Sequence, residues 1–275
     1  MAILMLVLVN FAVMSVIYIT TTFMGFESLA GEGSQIYLLF VSAIFGFGGS
    51  IISLLMSKKI VKMTMDGYRE IKADQQNNDF ERWYVQKVKD ISKKAKIKTP
   101  EIGIFEGSPN AFATGPSRNN SLVAISTGLI KTMSRDEIEG VIGHEIAHVS
   151  NGDMVTLTLI QGTMNTFVFY LARIFTSRDS GMSRFISIII FEILLGFVAN
   201  IIVAWFSRYR EYRADIGSVQ LTSRNKMLGA LQALENQRSN DLPEEMKVFG
   251  FNSSEMMNLF STHPPLAKRI EALIK

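Results

Sequence analysis

The chain contains no cysteine in its 275 residues. That excludes a disulfide framework and any thiolate metal site, and leaves histidine, aspartate and glutamate as the strong metal ligands. Histidine is itself scarce, with three in the whole chain. An excess of charge of one sign is also missing: 28 Lys and Arg against 25 Asp and Glu leave a net charge of +3. The basic residues cluster directly after apolar runs, as in "SKKIVK" and "SRYREYR". Such placement fits anchoring at a membrane surface and gives a nucleic-acid partner no support. Apolar residues are abundant. A hydrophobic fraction of 48% and a mean hydropathy of +0.21 exceed those of an average soluble domain, so membrane spans are expected.

Four stretches are long and apolar enough to be spanning helices, each needing about 20 residues. They cover roughly 4–24, 36–56, 154–175 and 185–206, and pair as two hairpins. The first has no basic n-region and no small-x-small cleavage site, so it reads as an uncleaved anchor rather than a secretory signal. The second contains Gly46, Gly48 and Gly49, which allow close helix approach, and ends in Lys58, Lys59 and Lys62, which the positive-inside rule places in the cytoplasm. The loop between these two spans has Glu27 and Glu32 but no Lys or Arg, so the N-terminus and everything after residue 57 are expected on the cytoplasmic side. The second hairpin carries Arg178 and Arg184 in its connection "TSRDSGMSR", with Arg173 just before it, against that rule. Two readings stand: a full crossing, or a hairpin partly buried against protein. Glu192, inside the fourth stretch, is either a functional carboxyl or one neutralised by protonation or pairing.

The polar part reads as a mixed domain. "FERWYVQKVKDISKKAKI" sets Phe80, Tyr84, Val88, Ile91 and Ala95 at helical spacing. After Pro100 the period changes to two, and "EIGIF", "NAFATG" and "SLVAIS" read as strands. Met227, Leu231 and Leu234 mark one face of a later helix, and "PPLAKRIEALIK" a last one opened by proline. The expected fold is thus a mainly α membrane protein with a small α+β domain and about four transmembrane or membrane-buried helices in two hairpins. Its parts are an N-terminal transmembrane hairpin over 1–57, a first portion of the cytoplasmic domain over 58–153, a second apolar hairpin over 154–206, and the rest of the domain over 207–275.

Two of the three histidines stand four apart in "GHEIAHVSNGD". Ser134 and Glu137 form an S-x-x-E capping box just before the apolar pattern of Ile138, Val141, Ile142 and Ile146, so the motif lies on a helix with a clear start. Positions i and i+4 share a face, so His144 and His148 can aim ring nitrogens at one point with Glu145 beside them. This is H-E-x-x-H, in which two histidines hold Zn²⁺ and the glutamate serves as general base. Catalytic zinc needs a third protein ligand and an open position. The metzincin pattern would put a histidine at 154, where Met154 stands. Asp153 follows the motif too closely and Glu192 is intramembrane, so Glu211 in "SRYREYRADIGS" is the preferred ligand. Asp215, again at i+4, can accept a hydrogen bond from a ligand histidine. His263, in "STHPPLAKRI", is either an oxyanion donor or a helix-capping and packing residue, and Arg208 is a second candidate donor. "SPNAFATG" can act as an edge strand pairing with substrate backbone, with Asn110 at the cleft entrance or simply in a turn.

With these residues on the page, the chain resembles the HtpX-type membrane zinc metalloproteases of bacteria, relatives of the prenyl-protein endopeptidases. The resemblance covers nearly the full length and rests on "NFAVM", "FGFGGSIISLLMSKK", "NAFATG", "SLVAISTGL", "GHEIAHVSNGDMVTLTLIQG", "WFSRYREYRADIGS" and "THPPLAKRIEAL". It implies a zincin-like, specifically gluzincin-like, catalytic domain facing the cytoplasm from the bacterial inner membrane. His144, His148 and Glu211 would then bind one Zn²⁺ per subunit, with Glu145 as base. The implied role is quality control and stress response, cleaving misfolded or damaged membrane proteins or unfolded polypeptides, with the lipid bilayer as a further partner. "TSRDSGMSR" is shorter than in some members, which bears on the topology of that hairpin. Two competing expectations are a non-catalytic zinc-containing membrane scaffold and a prenyl-protein processing protease.

Overall fold

The structure is a computed structural model that describes residues 35–72, 76–176, 181–241 and 263–275, and of 238–241 the backbone alone. The apolar stretch 4–24, the acidic loop after it and Arg178 lie outside the described residues. Three described helices are long and apolar enough to cross a membrane: α1 (Gln35–Thr64), α5 (Asp153–Phe175) and α6 (Gly181–Leu221). They contain the other three apolar stretches. Both α1 and α6 outrun those stretches. At about 1.5 Å per residue a bilayer core uses about 20 residues, whereas α6 continues without a break for 41.

The chain divides into two compact units, one comprising the described residues up to Leu55 with Val155–Val203, the other Met56–Met154 with Ala204–Lys275. In the first, Gly46 lies against Thr166 and Gly162 of α5, the close approach its lack of a side chain allows. The Phe45 and Phe169 rings sit 6.1 Å apart nearby. Glu192 is paired, its Oε1 lying 3.2 Å from Arg173 Nη1. Polar groups within membrane-spanning segments commonly pair with one another in this way.

The second unit holds a four-stranded sheet in the order β1–β2–β4–β3, made of β1 (Arg69–Glu70), β2 (Glu101–Phe105), β3 (Ala111–Ser117) and β4 (Asn120–Ser126). β2 and β4 run parallel, while the other pairs are antiparallel. Among the described residues β3 is therefore an edge strand. Against the sheet pack α2 (Asp79–Lys94) and α4 (Arg135–Asn151), with the short α3 (Thr127–Thr132) between β4 and α4. Asn78 caps α2 by accepting the Glu81 N–H at 2.9 Å. Tyr84, Val88 and Ile91 of α2 meet Ile102, Ile104 and Ile125 of the sheet and Ile138, Ile142 and Ile146 of α4 in one core. Burying each such aliphatic side chain contributes about 1.5–3 kcal/mol. α7 (Arg224–Asp241) and α8 (Leu266–Ile274) form a smaller cluster through Met227, Leu231 and Leu273.

Two of the lysines at the end of α1 do more than meet an interface. Lys58 and Lys62 lie 2.6 and 2.8 Å from the two carboxylate oxygens of Glu101, and Lys62 is also 2.7 Å from Glu70. The helix end is thereby pinned to strands β1 and β2.

Candidate metal centre

α4 starts on the capping box: the Ser134 hydroxyl accepts from the Glu137 N–H, and the Glu137 carboxylate accepts the Ser134 N–H at 2.7 Å. It ends at Gly152, whose φ of 72° is the left-handed conformation that favours glycine. Between these stops most of the helix is buried, including His144, Glu145 and Ile146. His144 and His148 come one turn apart with Nε2 atoms 3.1 Å from each other. α6 crosses α4 closely, with Gly143 against Ser218 and Gly217 against the Ala147 methyl. The Ser218 hydroxyl donates to the Gly140 carbonyl at 2.7 Å.

That crossing delivers Glu211. Its Oε2 is 3.6 Å from His144 Nε2 and its Oε1 is 3.4 Å from His148 Nε2. Each histidine commits its other nitrogen to a carboxylate: His144 Nδ1 lies 2.9 Å from Asp215 and His148 Nδ1 lies 2.6 Å from Asp153. Donation from Nδ1 leaves the Nε2 lone pairs aimed at the carboxylate and at each other. Three acceptors facing inward require a cation or protons between them. Ligand bonds of about 2.0–2.2 Å in tetrahedral geometry hold donor atoms roughly 3.3 Å apart, so the separations here fit a metal ion. Burial alone would lower the His148 pKa, but Asp153 and Glu211 outweigh it and push it up to about 9 when only protons are available.

Residues 78–275 match peptidase family M48. The chain belongs to that family. The protease HtpX of Pseudoalteromonas atlantica is 46% identical to it over 289 residues, covering 99% of each chain. The HtpX homolog of Chlorobium phaeobacteroides is 48% identical over 280 residues, covering 96% of this chain and 95% of its own. The crystal structure of S. mikatae Ste24p shares the fold, with a TM-score of 0.61 at 17% identity; the match covers 86% of this chain and 58% of Ste24p. This M48 member is a membrane metalloprotease, and its buried His144 and Glu211 with the half-buried His148 are a group suited to hold the metal.

The metal group opens into a cleft of about 180 Å³. His144, Glu145 and Glu211 form its floor, Asn110 and Ala111 lie to one side, and Leu129, Val141, Leu231 and Leu234 make an apolar wall. His263 also borders it, 67% exposed, with Nδ1 3.0 Å from Glu211 Oε2. Of the two donors expected from the sequence, only His263 is therefore beside the metal group. Arg208 lines a different cleft together with Trp205, Tyr209 and Tyr212 of α6. At 100° per residue Arg208 itself is about 60° round α6 from Glu211, and Trp205, Tyr212 and Tyr209 are about 100–160° round it.

Two residues of this M48 site lack a role in the sequence reading. Asp153 is weighed there as a ligand, yet it sits behind His148 and fixes that ring. Arg269 of α8 is buried, and donates to both oxygens of Asp215 at 2.8 and 2.6 Å while its Nη1 lies 3.2 Å from Glu211. A signal for it exists in the sequence: it falls on the apolar face of α8, in register with Leu266, Ile270 and Leu273, where a cation needs a buried partner.

Proposed function

We propose that this protein is a zinc-dependent endopeptidase of the bacterial inner membrane whose catalytic unit faces the cytoplasm and cleaves misfolded or damaged membrane proteins and unfolded polypeptides. The observation that carries the reading is the convergence of His144 Nε2, His148 Nε2 and the Glu211 carboxylate within 3.1–3.6 Å, at the floor of an apolar cleft that also presents Glu145. Bound by these three residues, zinc would supply Lewis acidity and water activation at neutral pH. Asp215 and Asp153 hold the two imidazoles in the ligand tautomer. Glu145 accepts the proton of the attacking water and returns it to the leaving amine, the shuttling role of a positioned carboxylate. His263 donates to the carbonyl oxygen as negative charge develops there.

Substrate binding follows from the walls. Among the described residues β3 pairs with β4 on one side only, so its other edge can add an extended substrate backbone, with Asn110 at the entrance. The apolar wall suits the side chains that unfolding exposes. Among the described residues three candidate ligands converge, and a site with three protein ligands leaves a position for reaction where a structural site would be closed by a fourth.

The test compares the detergent-purified chain with Glu145→Ala. Both are expected to bind one equivalent of zinc, and only the parent to cleave casein. Equal cleavage by the variant would remove Glu145 from its role, and an inactive, zinc-free parent would remove the reading altogether.

A further inference from the structure

The cleft that takes Arg208 away from the metal group is a site in its own right. It has a volume of about 290 Å³ and begins where the apolar stretch of α6 ends, at Trp205. Trp205, Tyr209 and Tyr212 follow one another at i, i+4 and i+7 on one helix face. Trp205 is 62% and Tyr209 54% exposed. Amphipathic rings of this kind concentrate at the headgroup level of a bilayer. Across from them, Pro264 and Pro265 close the cleft and Lys268 of α8 enters it.

Two cations, Arg208 and Lys268, thus reach one cleft from two different elements, among rings that favour the membrane–water boundary. A guanidinium matches phosphate oxygens with paired donors, and an ammonium adds a compact charge. We propose that this cleft binds the phosphate headgroup of an anionic phospholipid, with Arg208 and Lys268 on the phosphate and the aromatic face against the first acyl carbons. A soluble anion would use the cations and leave three rings in water, whereas a lipid uses both. At 100° per residue, the mean direction of Trp205, Arg208, Tyr209 and Tyr212 points about 110° round α6 from Glu211, so a lipid there leaves the metal group open. Lys268 adjoins Arg269, so a bound headgroup also steadies the start of α8. This inference rests on the membrane assignment and does not depend on proteolysis.

The chain has two tryptophans, so Trp83→Phe leaves Trp205 as the sole reporter. In detergent, phosphatidylglycerol brominated near the headgroup end of its acyl chains is expected to quench Trp205 saturably, at several-fold lower concentration than phosphatidylcholine brominated alike. Arg208→Ala with Lys268→Ala should abolish the difference between the two lipids. The charge-preserving exchange Arg208→Lys with Lys268→Arg should retain it, which guards against a merely misfolded double variant. Equal quenching by both lipids, or a preference that survives removal of both charges, overturns the proposal. So does relief of the quenching by millimolar inorganic phosphate, which would assign the site to a soluble anion.

Discussion

Arg269 grips both oxygens of Asp215, and Asp215 Oδ1 in turn lies 2.9 Å from His144 Nδ1. The orientation of a ring on α4 is thus set from α8, 125 residues later in the chain.

Replacing that guanidinium tests the linkage. Arg269→Lys keeps the charge but loses the two-pronged grip on Asp215. Loss of such an outer partner costs about 10–100-fold in metal affinity. The expected readout is a rise of that size in the free Zn²⁺ concentration at half occupancy, measured against a competing chelator. An unchanged affinity would mean that Asp215 orients His144 unaided.

Acid should act on an ion pair remote from the metal, between the buried Glu81 and the exposed Arg69. Glu81 is 2% exposed; burial alone would raise its pKa, but Arg69 at 2.6 Å and the Asn77 N–H at 2.8 Å outweigh burial and hold it below the usual carboxylate range. A lowered folded-state pKa adds stability that is complete above the unfolded value, about 4.3, and fades as pH falls through the folded one. Glu81→Gln is therefore expected to lose about 1–3 kcal/mol at pH 7. The gap between variant and parent should narrow on acidification below about pH 4, as thermal unfolding in detergent at several pH values would show. A gap constant with pH would assign the loss to packing instead.

The apolar wall predicts selectivity. Leu234→Trp narrows the cleft from α7 without touching His144, Glu145 or Glu211. Mass-spectrometric mapping of casein fragments should show cleavage shifting from bonds flanked by large apolar residues toward those flanked by alanine or glycine. An unaltered pattern would show that no substrate side chain enters the cleft.

Orientation is directly accessible because the native chain has no cysteine to interfere. Thr99 is exposed in the second unit, and Thr99→Cys in intact cells should resist a membrane-impermeant maleimide until the cytoplasmic membrane is opened. Labelling in intact cells would place the catalytic unit outside.

The parts of this site visible in the sequence are those whose geometry is local. The His144–His148 spacing and the Ser134–Glu137 box follow from one helical turn, and the strand runs from a period of two. Glu211 is harder, since it needs a crossing of α4 and α6 that Gly143 and Gly217 permit but do not announce. Arg269 and the Lys58–Glu101 pair depend on how distant elements dock, which no local period encodes. Arg208, a candidate donor by its nearness to Glu211 in the sequence, lines a second cleft with Trp205, Tyr209 and Tyr212, a placement that depends on how α8 docks on α6.

Gly152 makes a corner between two helices, and the first residue round that corner, Asp153, reaches back to the last turn of α4 to hold His148. A side chain at 152 would meet both a strained backbone and the nearby Arg118 guanidinium. Whatever opens the corner by a few tenths of an ångström would slacken one coordinating ring while the core of Ile138, Ile142 and Ile146 stays shut. The protein would then keep its shape and lose its grip on the ion, with the fault lying in the one residue of that bracket that has no side chain.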